Sequence, residues 1–192
     1  MRVLKGGTVP PSDKMKIETF FNFMRPLIPK PVFRFFQPAY HWLLAFFAAL
    51  FYRFPSRELA VIGVTGTKGK STVVYLTAKI FEEAGVKAAA LSSIEFKIND
   101  EIIPNEMKMT MPGRFFVQKF LRRAADAGCK YAILEITSEG IRQHRHRFIN
   151  FDTAIFTNLS PEHVESHGGF ENYKKAKLSF FEYAKNVHIL NK

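Results

Sequence analysis

Residues 61–72 read VIGVTGTKGKST, and this stretch decides both the expected fold and the first hypothesis about function. It begins as a short apolar run of strand length and passes through a turn that contains Gly66 and Gly69. A helix is predicted to begin at Lys70 and Ser71. Glycines let the backbone curl with its N–H groups pointing inward, and a helix N-terminus adds about half a positive charge. The stretch therefore predicts a site for the phosphates of a nucleotide.

The match to the P-loop pattern is a variant. The general pattern is glycine, any four residues, then Gly-Lys-Ser or Gly-Lys-Thr, and its first glycine falls on Val64 here. In such a loop the lysine supplies a cation for the outer phosphates, and the hydroxyl after it is placed to touch a bound Mg²⁺. The residues expected to contact the nucleotide are Gly66, Thr67, Lys68, Gly69, Lys70, Ser71 and Thr72. A glycine-lysine turn can also be an ordinary loop, but the flanking strand and helix favour phosphate binding.

The composition is that of a globular protein with a basic surface. The 192 residues suffice for one full domain and a short appendage, and the formal net charge is +11. This balance favours anionic partners such as nucleotides, phosphorylated substrates or acidic lipids. No signature of a nucleic-acid-binding module occurs, so nucleic acid is not an expected partner. The single cysteine, Cys129, excludes an internal disulfide framework and fits a core position in a cytoplasmic protein. The first 20 residues lack the apolar core of a cleavable signal.

Composition divides the chain into a flexible tail (1–14), an aromatic and basic segment (15–58) and an α/β domain (59–192). The prolines of the second segment are expected to break it into short pieces. Its longest apolar run, 39–52, would form a helix of about 21 Å, too short to cross a hydrocarbon core of about 30 Å. Two hypotheses stay open: a helix packed on the domain, or peripheral contact of residues 15–52 with the inner membrane face. The basic residues that would meet anionic lipid are Arg25, Lys30, Arg34, Arg53 and Arg57.

From residue 59 onward, strand and helix patterns alternate. The predicted strands are 60–64, 88–92, 131–136, 153–156 and 187–190, with a hairpin formed by 95–98 and 101–103, and the predicted helices are 71–84, 112–127 and 170–184. Unbroken apolar strands that alternate with helices predict a P-loop-type α/β fold with a mostly parallel sheet and helices on both faces. Ligands bind such sheets at the carboxyl ends of the strands. We therefore expect residues 65–71, 135–138 and 157–163 to lie at one edge.

Three further side chains are candidates for this edge. Glu135 ends an apolar strand, and a carboxylate beside a phosphate loop can hold Mg²⁺. His163 and His167 lie four residues apart, but a helix start at Ser160 would keep only His163 near the edge. Lys177 lies among other lysines, and its spacing alone does not single it out.

Four stretches together resemble the Mur ligases, the ATP-dependent amide-forming enzymes of peptidoglycan synthesis. They are TGTKGKST (65–72), TMPGRFFVQKFL (110–121), EITSEGIRQHR (135–145) and NLSPEHVESHGGFENYKKAK (158–177). The resemblance covers the chain from about residue 60 onward, and it is strongest to the central ATP-binding domain of the tripeptide synthetases of that family.

The resemblance implies a role for each matching position. Lys70 and Ser71 would contact ATP phosphates and Mg²⁺, and Glu135 and His163 would be metal ligands. Lys177 matches the lysine that the family carbamylates, which would give the metal two carbamate oxygens in place of an ammonium. The remaining implied contacts are Asn158 with the nucleotide, and Thr110, Thr137, Gln143 and Arg145 with the muramoyl-peptide substrate.

The implied chemistry is phosphoryl transfer from ATP to a carboxylate of a UDP-muramoyl-peptide, followed by attack of an amino acid's amine on the acyl phosphate. Two departures limit this expectation. Glu162 and Glu139 stand where the family has aspartate and histidine, and the family's uridine-binding and C-terminal domains have no counterpart in the 192 residues. We expect this chain to bind nucleotide weakly and not to complete catalysis alone. The alternatives are a folylpolyglutamate synthetase-like ligase and a membrane-surface nucleotide-binding module without ligase activity.

Overall fold

The computed structural model describes residues 30–105, 109–160 and 169–191, with side-chain positions from residue 36 onward. The chain divides into two compact units, Met1–Pro38 and Ala39–Lys192. The described part of the first unit is the beginning of one helix. The second unit contains the sheet and the predicted site, so the fold is described within it.

Seven strands and five α-helices make up the described chain. The helices are α1 (Lys30–Phe51), α2 (Lys70–Glu83), α3 (Arg114–Asp126), α4 (Ser138–Arg142) and α5 (Phe170–Leu178). The strands are β1 (Ala60–Thr65), β2 (Ala88–Leu91), β3 (Phe96–Ile98), β4 (Glu101–Ile103), β5 (Tyr131–Glu135), β6 (Phe151–Phe156) and β7 (Ala184–Leu190).

The strands form one sheet in the order β4-β3-β2-β5-β1-β6-β7. Strands β2, β5, β1, β6 and β7 are parallel, and β3 and β4 add an antiparallel hairpin at one edge. Asn99 turns the hairpin with a φ of 50°, a conformation that asparagine tolerates better than most residues. The predicted mostly parallel sheet and the predicted hairpin are both confirmed.

The sheet buries apolar side chains on both faces, as unbroken apolar strands require. One cluster contains Val61, Leu134 and Phe151, and a smaller cluster on the other face contains Val64 and Ile133. Cys129 belongs to the larger cluster, which confirms its expected core position. Because Gly63 has no side chain, the ring of Phe180 can pack against β1; a Cβ on Gly63 would lie 2.3 Å from the ring.

Two sequence predictions about helices are wrong. Pro31 and Pro38 do not divide the aromatic segment, because α1 begins at Lys30 and runs unbroken through Pro38. Pro26 and Pro29 lie outside the described residues. A proline removes a single backbone donor from a helix, and the hydrogen bonds on either side can carry the helix across that gap. The predicted helix 170–184 ends at Leu178 and continues as a 3₁₀ turn, Ser179–Tyr183. This tighter turn accompanies the complete burial of Phe180.

Helix α1 has two unlike faces. Ala45, Ala48 and Ala49 are buried, whereas Leu43, Phe47 and Leu50 are about half exposed. Within the described residues, no helix combines the length and apolarity needed to span a bilayer.

Candidate nucleotide-binding site

The loop between β1 and α2 owes its shape to two glycines with positive φ. Gly66 has a φ of +145°, and a Cβ there would lie 2.0 Å from Thr157 Oγ1. Gly69 has a φ of +78° and caps α2, yet a Cβ there would meet no atom within 4 Å. Gly66 is therefore required because a side chain would collide with Thr157, whereas Gly69 is required only for its positive φ. No side chain caps α2, so the first N–H groups of the helix face the open side of the loop.

Residues that follow β6 hold the loop backbone. The Asn158 side chain accepts a hydrogen bond from Lys68 N at 2.9 Å and donates one to Lys68 O at 3.1 Å. The Thr157 hydroxyl donates to the same carbonyl at 2.6 Å. Asn158, predicted to contact the nucleotide, thus also fixes the loop that would contact it.

Lys70, Ser71 and Glu135 meet at the carboxyl edge of the sheet. The Ser71 hydroxyl donates to Glu135 Oε2 at 2.8 Å, and Lys70 Nζ lies 4.0 Å from Glu135 Oε1. Lys70 Nζ also donates to Thr67 O at 2.8 Å. Glu135 is buried, and Ser93 donates to its Oε2 through N at 3.0 Å and through Oγ at 3.3 Å. The carboxylate is therefore held rigidly beside the lysine and the hydroxyl of the loop.

Helix α5 approaches the loop from the other side. The Tyr173 hydroxyl lies 2.9 Å from Thr67 Oγ1, within hydrogen-bond distance. Lys177 is buried, its Nζ donates to Gly66 O, and the same atom lies 4.7 Å from the Tyr173 ring centroid. The fold thus brings Lys177 to the loop across 111 residues of sequence.

Two further predicted residues are His163 and Thr72. His163, with His167, lies outside the described residues. Thr72 is exposed on the first turn of α2. The described residues contain no group of three histidine, cysteine, aspartate or glutamate side chains that could hold a metal ion.

Of the residues predicted to contact substrate, Thr137 precedes α4, and Gln143 and Arg145 follow it. Thr137 caps α4, and its hydroxyl accepts a hydrogen bond from Gly140 N at 3.0 Å. Arg145 donates through Nη2 to Gln143 Oε1 at 2.7 Å and through Nη1 to the Met111 carbonyl. Because Thr110 directly precedes Met111, this last contact brings the chain at Thr110 close to Arg145. Thr110 itself is half-buried.

Sequence reasoning missed Ser93 and Arg114, and it placed Thr157 at this edge without assigning it a role. Ser93 follows β2, so the rule that ligands bind at the carboxyl ends of parallel strands would have found it. Arg114 opens α3 and donates through Nη2 to the Gln143 carbonyl. No local pattern indicates a contact between positions so far apart.

Comparison with known families identifies the domain. The model of the Mur ligase middle domain matches residues 64–192, about two thirds of the chain. The chain belongs to the Mur ligase family. The resemblance predicted from the four sequence stretches is thereby confirmed, and so is the α/β architecture that it implied.

Among Mur ligases, a UDP-N-acetylmuramyl-tripeptide synthetase of a Roseiflexus species is 37% identical over 157 residues, 81% of this chain. A solved UDP-N-acetylmuramoyl-L-alanyl-D-glutamate–2,6-diaminopimelate ligase superposes with a TM-score of 0.62 at 30% identity, covering 69% of this chain and 26% of that one. This chain spans 30% of the Roseiflexus protein.

A folylpolyglutamate synthase of Mycobacterium tuberculosis in complex with ADP shares the fold. Its TM-score is 0.52 at 14% identity, over 78% of this chain and 46% of that one. Identity this low supports a common fold and nothing more specific.

Proposed function

We propose that this chain is the nucleotide-binding part of an ATP-dependent amide ligase that activates a UDP-muramoyl-peptide carboxylate as an acyl phosphate. The observation that carries the proposal is the meeting of Lys70, Ser71 and Glu135 at the open N-terminus of α2. Membership of the Mur ligase family and similarity to tripeptide synthetases support it. The alternative function, a folylpolyglutamate synthetase-like ligase, is supported only by similarity of fold.

The residues at this edge fit a nucleotide and a magnesium ion. Open space beyond Gly69, uncapped N–H groups of α2 and the Lys70 amine suit phosphates. The Ser71 hydroxyl and the Glu135 carboxylate provide oxygen donors of the kind that Mg²⁺ prefers. ATP would supply the phosphoryl group, and Mg²⁺ would neutralise its charge.

In this proposal the chain contributes position and charge. The substrate carboxylate and the outer phosphate repel each other, and Lys70 would offset that repulsion while the loop amides hold the phosphates in line. Asn158 and Thr157 fix the loop, so these donors are arranged before nucleotide binds. Thr110, Thr137, Gln143 and Arg145 would hold the muramoyl-peptide, and an amino acid would be the second substrate. His163 is retained as a proposed metal ligand.

Carbamylation of Lys177 belongs to the same proposal. Its amine is buried against the Gly66 carbonyl, on the loop itself. Addition of CO₂ to the neutral amine, with loss of one proton, would replace a cation by a group with two oxygen ligands. Intact-mass measurement in bicarbonate and after its removal tests this step, and an unchanged mass would count against it.

Glu135→Gln tests the metal part of the site. The amide keeps the size of the side chain and can accept hydrogen bonds from Ser93, but it loses the charge that attracts Mg²⁺. We expect the Mg²⁺ concentration that supports half-maximal ATP binding, measured by isothermal titration calorimetry, to rise by about tenfold or more.

Glu101→Gln is the matched control, because Glu101 lies on the surface hairpin and pairs with Arg123. Equal Mg²⁺ dependence in the two variants would contradict the metal role of Glu135. The ligase step is tested as ADP release that requires both a muramoyl-peptide and an amino acid.

We also propose that α1 holds the protein at an anionic membrane surface. Leu43, Phe47 and Leu50 recur at helical spacing on the exposed face of α1, opposite its buried alanines. Residues 19–57 contain five basic side chains and no acidic one. The helix thus has an exposed apolar stripe, and all the charged side chains around it are basic. Both features are typical of a helix that lies on the surface of an acidic membrane.

Leu43→Glu/Phe47→Glu tests this contact. Both side chains are about half exposed, so the change should spare the fold while it places two carboxylates against acidic headgroups. We expect sedimentation with phosphatidylglycerol-containing liposomes to weaken by about tenfold or more. Leu76→Glu/Ile80→Glu on α2 is the matched control, with the same spacing and similar exposure. Failure of the wild-type protein to sediment with these liposomes would refute the proposal.

A further inference from the structure

The segment that follows α4 carries an excess of positive charge. Residues 139–148 contain three arginines, two histidines and a single carboxylate, Glu139. That carboxylate already accepts hydrogen bonds from Arg142 Nη2 at 3.0 Å and from the Gln143 side chain. Burial lowers the pKa of Arg145 and the charge of Glu139 opposes this shift, so the three arginines of the segment share a single carboxylate.

Two guanidinium groups converge on Gln143. Arg114, from the first turn of α3, donates to the Gln143 carbonyl, and Arg145 donates to the Gln143 side chain through Nε at 3.1 Å and Nη2 at 2.7 Å. Arg145 also donates to the Met111 carbonyl. All of these acceptors are neutral, so they orient the two cations without cancelling their charge. Burial lowers the pKa of Arg114 to about 10, and the Arg145 charge adds to this effect.

Helix α1 packs against the same segment and carries His41. Trp42 and Phe46 pack edge-on against Phe148, with ring centroids 5.1 and 5.4 Å apart, which seats α1 on the segment. Burial lowers the pKa of His41 to about 4, with further contributions from the charges of Arg114 and Arg145. His41 Nδ1 and Arg114 Nε are both buried and make no hydrogen bond to the part of the chain that the structure describes.

We propose that Arg114 and His41 complete, with Arg145, an anion-binding subsite for an acidic group of the substrate. The inference rests on the proposed ligase function and extends it, because α1 would take part in substrate recognition. Two guanidinium forks offer paired donors to a carboxylate or a phosphate, and charge-assisted hydrogen bonds of this kind are the strong ones. An anion between them would also remove the repulsion between two half-buried cations and give the unpaired nitrogens a partner.

The test measures binding of the two halves of the expected substrate to the 192-residue chain by calorimetry. The acidic groups of UDP are phosphates, and those of N-acetylmuramoyl-L-alanyl-D-glutamate are carboxylates. We expect Arg114→Met to weaken one of the two by about 10- to 100-fold and to leave ATP–Mg²⁺ affinity unchanged. His41→Gln should weaken the same ligand by about 2- to 10-fold. The ligand whose affinity falls in these variants shows whether the subsite binds a phosphate or a carboxylate.

Arg123→Met is the matched control, because Arg123 also lies on α3 but pairs with Glu101 at the surface. Melting temperatures show whether each variant is folded, and Arg114→Lys, which keeps the charge but loses the fork, should weaken binding partially. Equal affinities of Arg114→Met, His41→Gln and Arg123→Met for both halves would overturn the subsite. Failure of the wild-type chain to bind either half, with ATP–Mg²⁺ binding intact, would also overturn it while the nucleotide site stands.

Discussion

Lys70→Ala is expected to lower the affinity of the chain for ATP–Mg²⁺ by about 10- to 100-fold, the worth of one hydrogen bond to a charged group. Lys70 is the first residue of α2, and its amine lies 2.8 Å from Thr67 O and 4.0 Å from Glu135 Oε1. The side chain thus holds a cation at the open N-terminus of a helix, where the phosphates are proposed to bind. Calorimetric titration with ATP at fixed Mg²⁺ measures the change.

Lys79→Ala provides the comparison within the same helix. Lys79 pairs with Glu82 at 2.8 Å on the exposed side of α2, and surface pairs of this kind contribute little to stability. We expect this variant to bind ATP as the wild type does. Both variants should remain folded, because Ser71 and Ser93 still pair with Glu135 when Lys70 is removed. If the two variants had the same affinity, Lys70 would not be a phosphate ligand.

The sequence predicted the main features of this edge because they follow from local rules. An apolar run before a glycine-rich turn placed the end of β1, and the apolar run at 131–136 placed Glu135 at the end of a later strand. In a parallel sheet these carboxyl ends meet at one edge, so two distant segments could be brought together without knowledge of the strand order. The hydrogen bond between Ser71 and Glu135 is the direct result.

Features that depend on tertiary packing were not predictable in the same way. The approach of Arg114 to Gln143 spans 29 residues and has no periodic signal. Lys177 is one lysine among several in the sequence, and only the family resemblance distinguishes it there. Its burial against the loop depends on the packing of α5. The local rule that proline ends a helix does not hold at Pro38, where α1 continues. The energetic cost of one proline can be outweighed by the interactions of the rest of the helix.

Gly66→Ala is expected to lower the free energy of unfolding by about 2 to 4 kcal/mol, through overpacking and backbone strain together. The new Cβ would lie 2.0 Å from Thr157 Oγ1 and 3.1 Å from Asn158 N, at a φ of +145° that side chains rarely adopt. The loop would have to move away from β6 and release the hydrogen bonds that Asn158 makes to Lys68. Denaturant titration followed by tryptophan fluorescence and circular dichroism measures the loss.

Gly69→Ala separates the two causes, because Gly69 also has a positive φ but a Cβ there meets no atom within 4 Å. Only backbone strain remains, so we expect a loss of about 1 to 2 kcal/mol. Thr157→Ala combined with Gly66→Ala removes the nearest obstacle and should restore part of the stability. Equal losses at the two glycines would mean that the turn alone dictates the loop. A larger loss at Gly66 would instead mean that β6 holds the loop in its phosphate-binding shape in the absence of nucleotide.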